Sequence, residues 1–303
     1  MKPAITPLRY PGGKTWLLGY VKEFLHFHNL ESKIIVEPFA GSASISIGLL
    51  RDNLVKEAYI AEKDPIIVSF WNAVLYRNDD LAEYISTLEV TLDTWFALKK
   101  YLSLTSTTNY NQVEVAGAFL FYNRTNYSGI IKAGPLGGKK QRSSYKLDCR
   151  FNKRRIIDRI RGLKCLEGRL RVVEKDGLVF MQDMASSIPD DLFLYVDPPY
   201  YVAGKNLYRF YFNDEDHVKL SRFLMNLDIP WLLSYDDSVF ISDLYKSSRG
   251  KMPIYTDNQA GCLKKGVKEF LFSNRVIPPI APTTKLITER NFITNSKIFP
   301  PRV

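Results

Sequence analysis

The sequence is poor in the side chains that bind metals or form disulfides. It has three cysteines and three histidines in 303 residues. An odd number of scattered cysteines without a C-x-x-C pair is typical of a reducing compartment, and it gives no structural zinc site. We therefore expect a cytoplasmic protein without a bound metal. The residues concerned are Cys149, Cys165, Cys262, His26, His28 and His217.

Long apolar runs are also missing. No stretch reaches the roughly 18 apolar residues of a membrane-spanning helix, and the first ten residues lack the apolar centre of a secretory signal. The chain has instead 46% hydrophobic and 24% charged residues, the balance of a globular protein. This composition excludes a disordered chain, a collagen-like chain and a disulfide miniprotein. The length predicts one large domain, or one domain with a substantial insertion.

The positive charge is concentrated in one segment. The net charge is +10, and residues 139–171 carry thirteen basic and three acidic side chains. This segment accounts for the whole excess, because the rest of the chain is neutral in sum. A basic patch on a neutral body favours a polyanionic partner such as nucleic acid. A solvated helix face is the alternative interpretation.

Strand and helix patterns alternate at the start of the chain. Short apolar runs at 33–39 and 57–62 are predicted strands, and helical spacing is present at 14–29, 42–53 and 65–75. A Gly-Gly turn precedes the first helix, and Gly41 lies between the first strand and the helix that follows it. The alternation is typical of a parallel, doubly wound α/β sheet.

Residues 78–169 interrupt this pattern with four predicted helices and a polar loop: 79–88, 93–102, 113–123, 151–163 and the loop 124–148. The sheet pattern then resumes, with strands at 170–173, 178–182, 192–196 and 230–235, helices at 214–227 and 239–245, and a closing antiparallel pair at 254–256 and 268–273. Five of the sixteen prolines lie after residue 274. We therefore divide the chain into a first catalytic half, a helical basic insertion, a second catalytic half and a proline-rich tail: 1–77, 78–169, 170–274 and 275–303.

The tetrapeptide Asp197-Pro198-Pro199-Tyr200 follows an apolar predicted strand, and ligands of open α/β sheets bind at the carboxyl ends of strands. The chemistry that fits is transfer to the exocyclic amine of a base, whose lone pair is delocalised into the ring. The Asp197 carboxylate and the Pro198 carbonyl can accept its two N–H bonds and localise that lone pair. The prolines stiffen the loop, and Tyr200 offers a ring for base stacking. An ordinary strand-to-loop turn is the alternative.

The segment after the first strand is Glu37-Pro38-Phe39-Ala40-Gly41-Ser42, where Gly41 lets a ligand approach the backbone. It is neither G-x-G-x-x-G nor a Walker loop, which argues against dinucleotides and ATP. Glu62 ends the second strand and can accept the two hydroxyls of a ribose. Asp183, at the predicted end of another strand, could accept from a cofactor adenine amine.

The turn Arg9-Tyr10-Pro11-Gly12-Gly13-Lys14 opens the first predicted helix. It presents free backbone N–H groups, and Lys14 adds a positive charge. The turn would suit a carboxylate, such as that of S-adenosylmethionine. Taken alone, it fits a plain helix N-cap turn better.

In this order, the motifs at 10–14, 37–42 and 197–200 resemble those of the Dam-type adenine-N6 DNA methyltransferases, the alpha group. Similar segments are Asn123-Arg124-Thr125-Asn126-Tyr127-Ser128-Gly129, Ser234-Tyr235-Asp236-Asp237 and the stretch 264–271, so the resemblance spans residues 7–274. The departures are Asn126, Ser128, Asp236 and the tail. The first two concern DNA recognition, so no target sequence is inherited.

The resemblance implies a Rossmann-like methyltransferase sheet with a helical, basic target-recognition insertion. It implies S-adenosylmethionine as methyl donor, S-adenosylhomocysteine as product, no metal, and duplex DNA with a flipped adenine as substrate. The catalytic residues are then Asp197, Pro198, Pro199 and Tyr200. The cofactor residues are Tyr10, Pro11, Gly12, Gly13, Lys14, Glu37, Phe39, Ala40, Gly41, Ser42, Glu62, Asp183 and Asp197. The expected DNA-binding residues are Arg124, Asn126, Tyr127, Lys132, Lys139, Lys140, Arg142, Arg154 and Arg155.

Several alternatives stay open from the sequence. Cytosine-N4 methylation uses the same chemistry, but that class usually carries serine where this chain has Asp197. RNA or protein methylation uses a related motif, against which the 10–14 motif and the basic insertion argue. A catalytically silent relative or a bare nucleic-acid-binding module would leave the intact motifs unexplained. A cognate restriction endonuclease is a candidate partner, and by family analogy a monomer is the expected state.

Overall fold

The computed structural model describes residues 5–257 and 266–279 of the chain. The described residues form one seven-stranded sheet. Its strands are β1 (Ile34–Glu37), β2 (Glu57–Glu62), β3 (Leu170–Glu174), β4 (Leu192–Val196), β5 (Trp231–Asp236), β6 (Gly250–Asp257) and β7 (Gly266–Ser273).

The strand order is β3-β2-β1-β4-β5-β7-β6. Strands β1 to β5 are parallel, and β7 is antiparallel to both β5 and β6. The centre of the sheet is β1 beside β4, where Ile34 lies opposite Leu192 and every residue of both strands is buried. The order reverses between these two strands, so the crevice at their carboxyl ends is where a doubly wound sheet binds ligands. The predicted parallel sheet and its closing antiparallel pair are confirmed.

Helices cover both faces of the sheet. They are α1 (Leu18–Phe27), α2 (Ser44–Arg51), α3 (Pro65–Tyr76), α4 (Asn78–Thr87), α5 (Leu92–Ala97), α6 (Gln112–Thr125), α7 (Lys153–Arg161), α8 (Gly177–Ser187), α9 (Gly204–Leu207), α10 (Asp214–Met225) and α11 (Val239–Leu244). Side-chain caps begin several of them: the Asp64 carboxylate accepts from the Ile66 N–H (3.1 Å), which starts α3. The first helix begins at Leu18, four residues later than its predicted start, so Lys14 lies in the turn before it.

The insertion between α3 and β3 consists of α4 to α7 with short 3₁₀ turns, as its helical pattern predicted. Its apolar side chains belong to the same core cluster as those of α1 to α3. The rings of Phe70 on α3 and Phe119 on α6 lie 5.4 Å apart. The Asn78 side chain donates to the Val74 and Ile160 carbonyls at 2.6 and 2.8 Å, which joins the start of the insertion to its end. The insertion is therefore packed firmly on one face of the sheet.

The first residues after β7 run along α1. The Tyr20 hydroxyl donates to the Pro278 carbonyl at 2.6 Å, and a ring nitrogen of His28 lies 2.7 Å from the Val276 carbonyl. Residues 275–279 begin the proline-rich tail, and the rest of the tail and Cys262 lie outside the described residues. Within the described part of the chain, no helix has the length and apolar character needed to cross a membrane.

The predicted strand at 178–182 is wrong, because these residues belong to helix α8. A short apolar run does not distinguish a strand from a buried helical turn. Asp176 favours the helix over the strand, because its carboxylate accepts from the Leu178 and Val179 N–H groups at 3.0 and 3.4 Å and so caps the helix. Asp183 consequently lies on an exposed helical face, paired with Lys175, and not at a strand end.

Candidate active site

A pocket opens at the carboxyl ends of β1, β2 and β4. Four stretches of chain converge on it: the 10–14 turn, the 37–44 loop, the 176–178 turn and the loop 208–212. Every predicted cofactor residue lines this pocket except Asp183, whose position in helix α8 is described above. Asp176, which was not predicted, lines the pocket instead. Of the predicted catalytic residues, Asp197 and Pro199 line it.

Gly41 fixes the loop that forms the pocket floor. Its φ is +46°, and a Cβ atom there would meet the Tyr10 ring at 2.5 Å, so only glycine fits. The Gly41 N–H donates to Glu62 Oε1 at 2.6 Å, and its carbonyl accepts from the Trp71 indole at 3.0 Å. The ends of β1 and β2 are thereby held together at the position predicted for a bound ribose.

Three acidic side chains are crowded at the strand ends. Burial raises the pKa of Glu62 to about 8, of Glu37 to about 7 and of Asp64 to about 6. The negative charges of Asp64 and Glu37 contribute to the raised pKa of Glu62, while the Gly41 N–H works against the shift. A set of buried carboxylates of this kind favours a ligand that brings positive charge or hydrogen-bond donors.

Lys14 is the centre of a second, inner group of charges, 2% exposed. Its Nζ lies 2.7 Å from Asp197 Oδ1 and 3.6 Å from Glu269 Oε2, and it donates to the Gly12 carbonyl (3.0 Å) and the Tyr200 hydroxyl (3.1 Å). Burial alone would lower the pKa of Lys14, but the two carboxylates outweigh it and raise the pKa. We refer to Lys14, Asp197, Tyr200 and Glu269 as the lysine–carboxylate cluster. Lys14 thus binds carboxylates of its own chain, where a cofactor carboxylate had been expected.

Asp197 is held from two sides. Besides Lys14, the Ser234 hydroxyl on β5 donates to Asp197 Oδ1 at 2.8 Å, and Ser234 lies 3.1 Å from the Tyr195 hydroxyl. Burial raises the pKa of Asp197, and Lys14 and Ser234 oppose that shift by stabilising the carboxylate. The side chain is therefore oriented before any ligand arrives.

Tyr200 is oriented by its hydroxyl, which donates to Glu269 Oε1 at 2.9 Å. Glu269 lies on β7 opposite Asp236 of β5, and it is buried. Burial raises its pKa, and Lys14 partly offsets this effect. Glu269 was not predicted as a site residue, although it lies in the stretch 264–271 that carried part of the resemblance. Only the antiparallel pairing of β7 with β5 brings it to the site.

Asp236 holds the other end of the Asp197–Tyr200 loop. Its Oδ1 accepts from the Tyr201 N–H and its Oδ2 from the Val202 N–H, both at 2.9 Å. A carboxylate has acceptors on both oxygens, whereas an asparagine amide would present a donor to one of these N–H groups. This explains why the sequence has aspartate at a position where the resemblance suggested an amide or imidazole.

The loop 208–212 closes the pocket on the side of the insertion. The rings of Tyr10 and Tyr208 are stacked at 5.9 Å. The Arg209 guanidinium pairs with Asp64 at 2.7 Å and donates to the Leu104 carbonyl of the insertion at the same distance. The insertion is therefore connected directly to the edge of the pocket.

The predicted DNA-binding residues divide into two groups. Asn126 is fully buried. Its Oδ1 accepts from the Trp95 indole at 2.8 Å, and its amide donates to the Ile130 and Ile131 carbonyls. Asn126 therefore anchors the loop that follows it and does not face a ligand. Arg124 is also buried. The remaining residues are exposed and available to a partner: Tyr127, Lys132, Lys139, Lys140, Arg142, Arg154 and Arg155.

No group of three histidine, cysteine, aspartate or glutamate side chains is placed to hold a metal ion in the stretches 5–257 and 266–279. The site that these stretches form is an acidic pocket beside an oriented carboxylate, and both lie at the crevice of a doubly wound sheet.

The chain is similar to several known proteins. A family model for the D12 class of N6 adenine-specific DNA methyltransferases matches residues 10–258. A Type II methyltransferase, M.MjaIII of Methanocaldococcus jannaschii, is 25% identical over 297 residues, covering 88% of this chain and 98% of its own. Protein PH1948 from Pyrococcus horikoshii has a TM-score of 0.38 at 11% identity, covering 88% of this chain and 84% of its own. Protein LPL1258 from Legionella pneumophila has a TM-score of 0.33 at 11% identity, covering 89% and 88%.

The family match spans the turn at 10–14, the pocket, the insertion and the Asp197–Tyr200 loop in one continuous stretch. The predicted Rossmann-like methyltransferase fold and the resemblance to adenine-specific DNA methyltransferases are thereby confirmed. The chain belongs to the D12 class of N6 adenine-specific DNA methyltransferases.

Proposed function

We propose that this DNA methyltransferase transfers a methyl group from S-adenosylmethionine to N6 of an adenine that is flipped out of duplex DNA. The observation that carries the proposal is the Asp197 carboxylate, which Lys14 and Ser234 orient at the edge of the acidic pocket. An amine inside a base pair cannot reach such a carboxylate, so the base has to leave the stack.

The hydrogen-bond acceptors that line the pocket fit S-adenosylmethionine. Glu62 is placed at the end of β2 to accept ribose hydroxyls, and Asp176 replaces Asp183 as the acceptor for the adenine amine. The raised pKa values of Glu37 and Glu62 favour a ligand with positive charge. S-adenosylmethionine, when bound, supplies an electrophilic methyl group on a positively charged sulfur and leaves as S-adenosylhomocysteine.

The side chains at the end of β4 act on the target amine. The Asp197 carboxylate and the Pro198 carbonyl accept its two N–H bonds, which localises the nitrogen lone pair toward the pocket. Tyr200 stacks on the base, and its hydroxyl bonds to Glu269 and Lys14 set the ring angle. Asp197 need not be a strong base, because the amine proton becomes acidic once the nitrogen is alkylated. Positioning provides most of the rate enhancement.

The insertion 78–169 serves as the target-recognition part. Its exposed basic side chains supply contacts to DNA phosphates, and Tyr127, which is 59% exposed beside the bridge between Asn126 and Pro135, is the aromatic that enters the duplex. Arg209 links this part to the pocket through Asp64 and Leu104. By its likeness to a Type II methyltransferase, a restriction endonuclease with the same target sequence is the proposed partner in the cell.

Cytosine-N4 methylation is the second candidate, since an oriented acceptor pair serves either exocyclic amine. The family description favours adenine. The test is incubation of the purified protein with methyl-labelled S-adenosylmethionine and unmethylated genomic DNA, followed by separation of the nucleosides. Label in N6-methyldeoxyadenosine supports the proposal, and label in N4-methyldeoxycytidine would overturn the base assignment. Absence of label from DNA in the wild type, at concentrations where cofactor binding is measured separately, would overturn the activity itself.

A further inference from the structure

Three arginines from different segments lie within electrostatic range of Arg124 where the insertion meets the N-terminal turn, and two of them, Arg9 and Arg150, are also within range of each other. Arg9 precedes the 10–14 turn, and Arg124 lies in the last turn of α6. Arg150 ends a short 3₁₀ helix, Leu147–Arg150, and Arg159 lies on α7. We refer to these residues as the arginine cluster.

The backbone under the arginine cluster is rigid. The Arg9 N–H donates to Asn123 Oδ1 at 2.7 Å, and the Asn123 amide returns a bond to the Arg9 carbonyl at 3.1 Å. A Cβ atom on Gly129 would lie 2.0 Å from that carbonyl, which explains the glycine. The neighbouring Phe151 ring packs 5.6 Å from Phe121. The cluster therefore stands on fixed positions of several elements.

The arginine cluster has no negative partner in the described part of the chain. Arg124 is only 8% exposed, and its Nε is buried without a hydrogen-bond partner. Among residues 5–257 and 266–279, none gives the guanidinium of Arg9, Arg124, Arg150 or Arg159 a hydrogen bond or an ion pair. A buried charge without a partner is unfavourable, so this arrangement points to an external anion.

The electrostatics agree with that reading. Burial, together with the positive charges of Arg159, Arg9 and Arg150, lowers the pKa of Arg124 to about 10. The pKa of Arg9 is lowered by burial and by Arg150. The neighbouring cations thus destabilise the charged forms of Arg124 and Arg9 in the free protein, and an anion between them would remove that repulsion.

We propose that the arginine cluster binds one backbone phosphate of the DNA. This inference rests on the proposed DNA substrate and adds a specific anion site to it. A guanidinium offers two parallel N–H donors that match phosphate oxygens. Arg9 directly precedes Tyr10 of the pocket, whereas the other three arginines belong to the insertion. A phosphate bound here would therefore fix the DNA to the catalytic half and to the insertion at once.

The first test measures the affinity for a mixed-sequence duplex over a range of salt concentrations. Arg150→Gln and Arg159→Gln are the variants, and Arg161→Gln is the control, because Arg161 is exposed on the same helix as Arg159 and acts on Asp79 of α4. Loss of one phosphate contact should lower the slope of log K against log salt by about 0.9, equally for all sequences. Unchanged slopes for both variants, or an equal fall for the control, would overturn the proposal.

The second test separates binding from a structural role. In the absence of DNA, Arg159→Gln should raise the thermal unfolding midpoint, because it removes repulsion around Arg124. It should also reduce the stabilisation that inorganic phosphate gives relative to chloride at equal ionic strength. A lowered midpoint with an unchanged phosphate effect would show a structural role and overturn the inference. Neither test needs methyl transfer, so reduced slopes for Arg150→Gln and Arg159→Gln together with an absence of adenine labelling would contradict the proposed function alone.

Discussion

The molecule contains two groups of charged side chains, each built around a buried cation, that are arranged in opposite ways. In the lysine–carboxylate cluster, Lys14 is surrounded by Asp197 and Glu269, and every charge has an opposite partner within the chain. In the arginine cluster, the charges have one sign and no described residue pairs with them. The first group is therefore complete before ligands arrive and can hold Asp197 in a fixed orientation. The second group stores repulsion that only an external anion relieves.

The comparison teaches how a chain of this kind separates chemistry from binding. Pairing inside the protein gives geometric precision, because a side chain with two or three fixed partners has little freedom. Leaving like charges unpaired gives affinity for a polyanion, and the cost is stability of the free protein. The predictions below test this difference, and they begin with the largest expected effect.

Removing the cation from the paired group should be the most damaging change. Lys14→Met leaves Asp197 and Glu269 as buried carboxylates without a cation, so we expect the free energy of unfolding to fall by about 3–5 kcal/mol. Urea unfolding measures this loss. Lys22→Met on α1 is the control, since Lys22 forms a surface pair with Asp52 and should change stability by no more than about 0.5 kcal/mol. An equal effect of the two substitutions would show that the lysine–carboxylate cluster is not a paired unit.

The acidic pocket should respond to pH in opposite directions with and without ligand. The pKa of Glu62 is raised from 4.5 to about 8 and that of Glu37 from 4.5 to about 7. Between pH 4.5 and these raised values, the folded chain therefore holds more protons than the unfolded chain. Their contribution to stability is therefore present at low pH and is lost as the pH rises through 7 and 8. Affinity for S-adenosylmethionine should instead rise over this range, because a cationic ligand favours the ionised carboxylates.

Thermal midpoints and S-adenosylmethionine titrations between pH 6 and pH 9 check both slopes. Glu62→Gln should weaken binding and flatten its dependence on pH above 7. Glu57→Gln, at the other end of the same strand, should leave both unchanged. A wild-type affinity that does not vary with pH would contradict the assignment of this pocket to a cationic ligand.

Asp236→Asn should lower the methyl-transfer rate about tenfold, which is roughly 1.4 kcal/mol. The substitution removes one of the two acceptors that hold the loop after Tyr200, and it turns a donor toward a backbone N–H. KM for DNA should stay unchanged, because Asp236 acts through the loop and not on the duplex. Asp243→Asn, exposed on α11, serves as the control. A higher KM with an unchanged rate would remove the positioning role from Asp236.

The smallest expected effects concern the corrected adenine acceptor. Asp176→Asn keeps an acceptor for the helix cap but removes the charge next to the pocket, so affinity for S-adenosylmethionine should fall about fivefold, or roughly 1 kcal/mol, the net contribution of a typical hydrogen bond. Asp183→Asn should leave it unchanged, since Asp183 pairs with Lys175 outside the pocket. Isothermal titration of both variants with S-adenosylmethionine shows which aspartate contributes to binding. Equal losses of affinity would indicate that Asp183 also belongs to the site.

Much of the fold was predictable from the sequence, because strand and helix periodicity is a local property. The apolar runs of β1, β2 and β4 and their alternation with helical patterns predict a doubly wound sheet and the side of the sheet that binds ligands. The strand predicted at 178–182 failed, because the four apolar residues at 178–181 fit a helix as well as a strand and the Asp176 cap favours the helix. Asn126 failed for a related reason: a polar residue beside an exposed tyrosine gives no sign that it bonds to the buried Trp95 indole.

The inner part of the site could not be predicted from local patterns. Glu269 and Asp236 reach the Asp197–Tyr200 loop through the pairing of β5 with β7, and such long-range registers leave no local signal. Similarly, the sequence shows the excess of basic residues at 139–171, but Arg124, the buried member of the arginine cluster, lies outside that segment. The arginine cluster differs from a solvated helix face because its charges have no partner among the described residues, and composition does not show this.

The separation of chemistry from binding is tested most directly by measuring two quantities on Asp197→Ala and Arg159→Gln: the single-turnover rate of methyl transfer with saturating DNA and the dissociation constant for the same duplex. Asp197→Ala should lose transfer by a factor of about 10³ or more, the order that a transition-state-orienting group supplies, while its DNA affinity stays close to that of the wild type. Arg159→Gln should bind DNA more weakly and transfer at the wild-type rate once saturated. If either variant lost both properties together, the two charge clusters would not have separate functions.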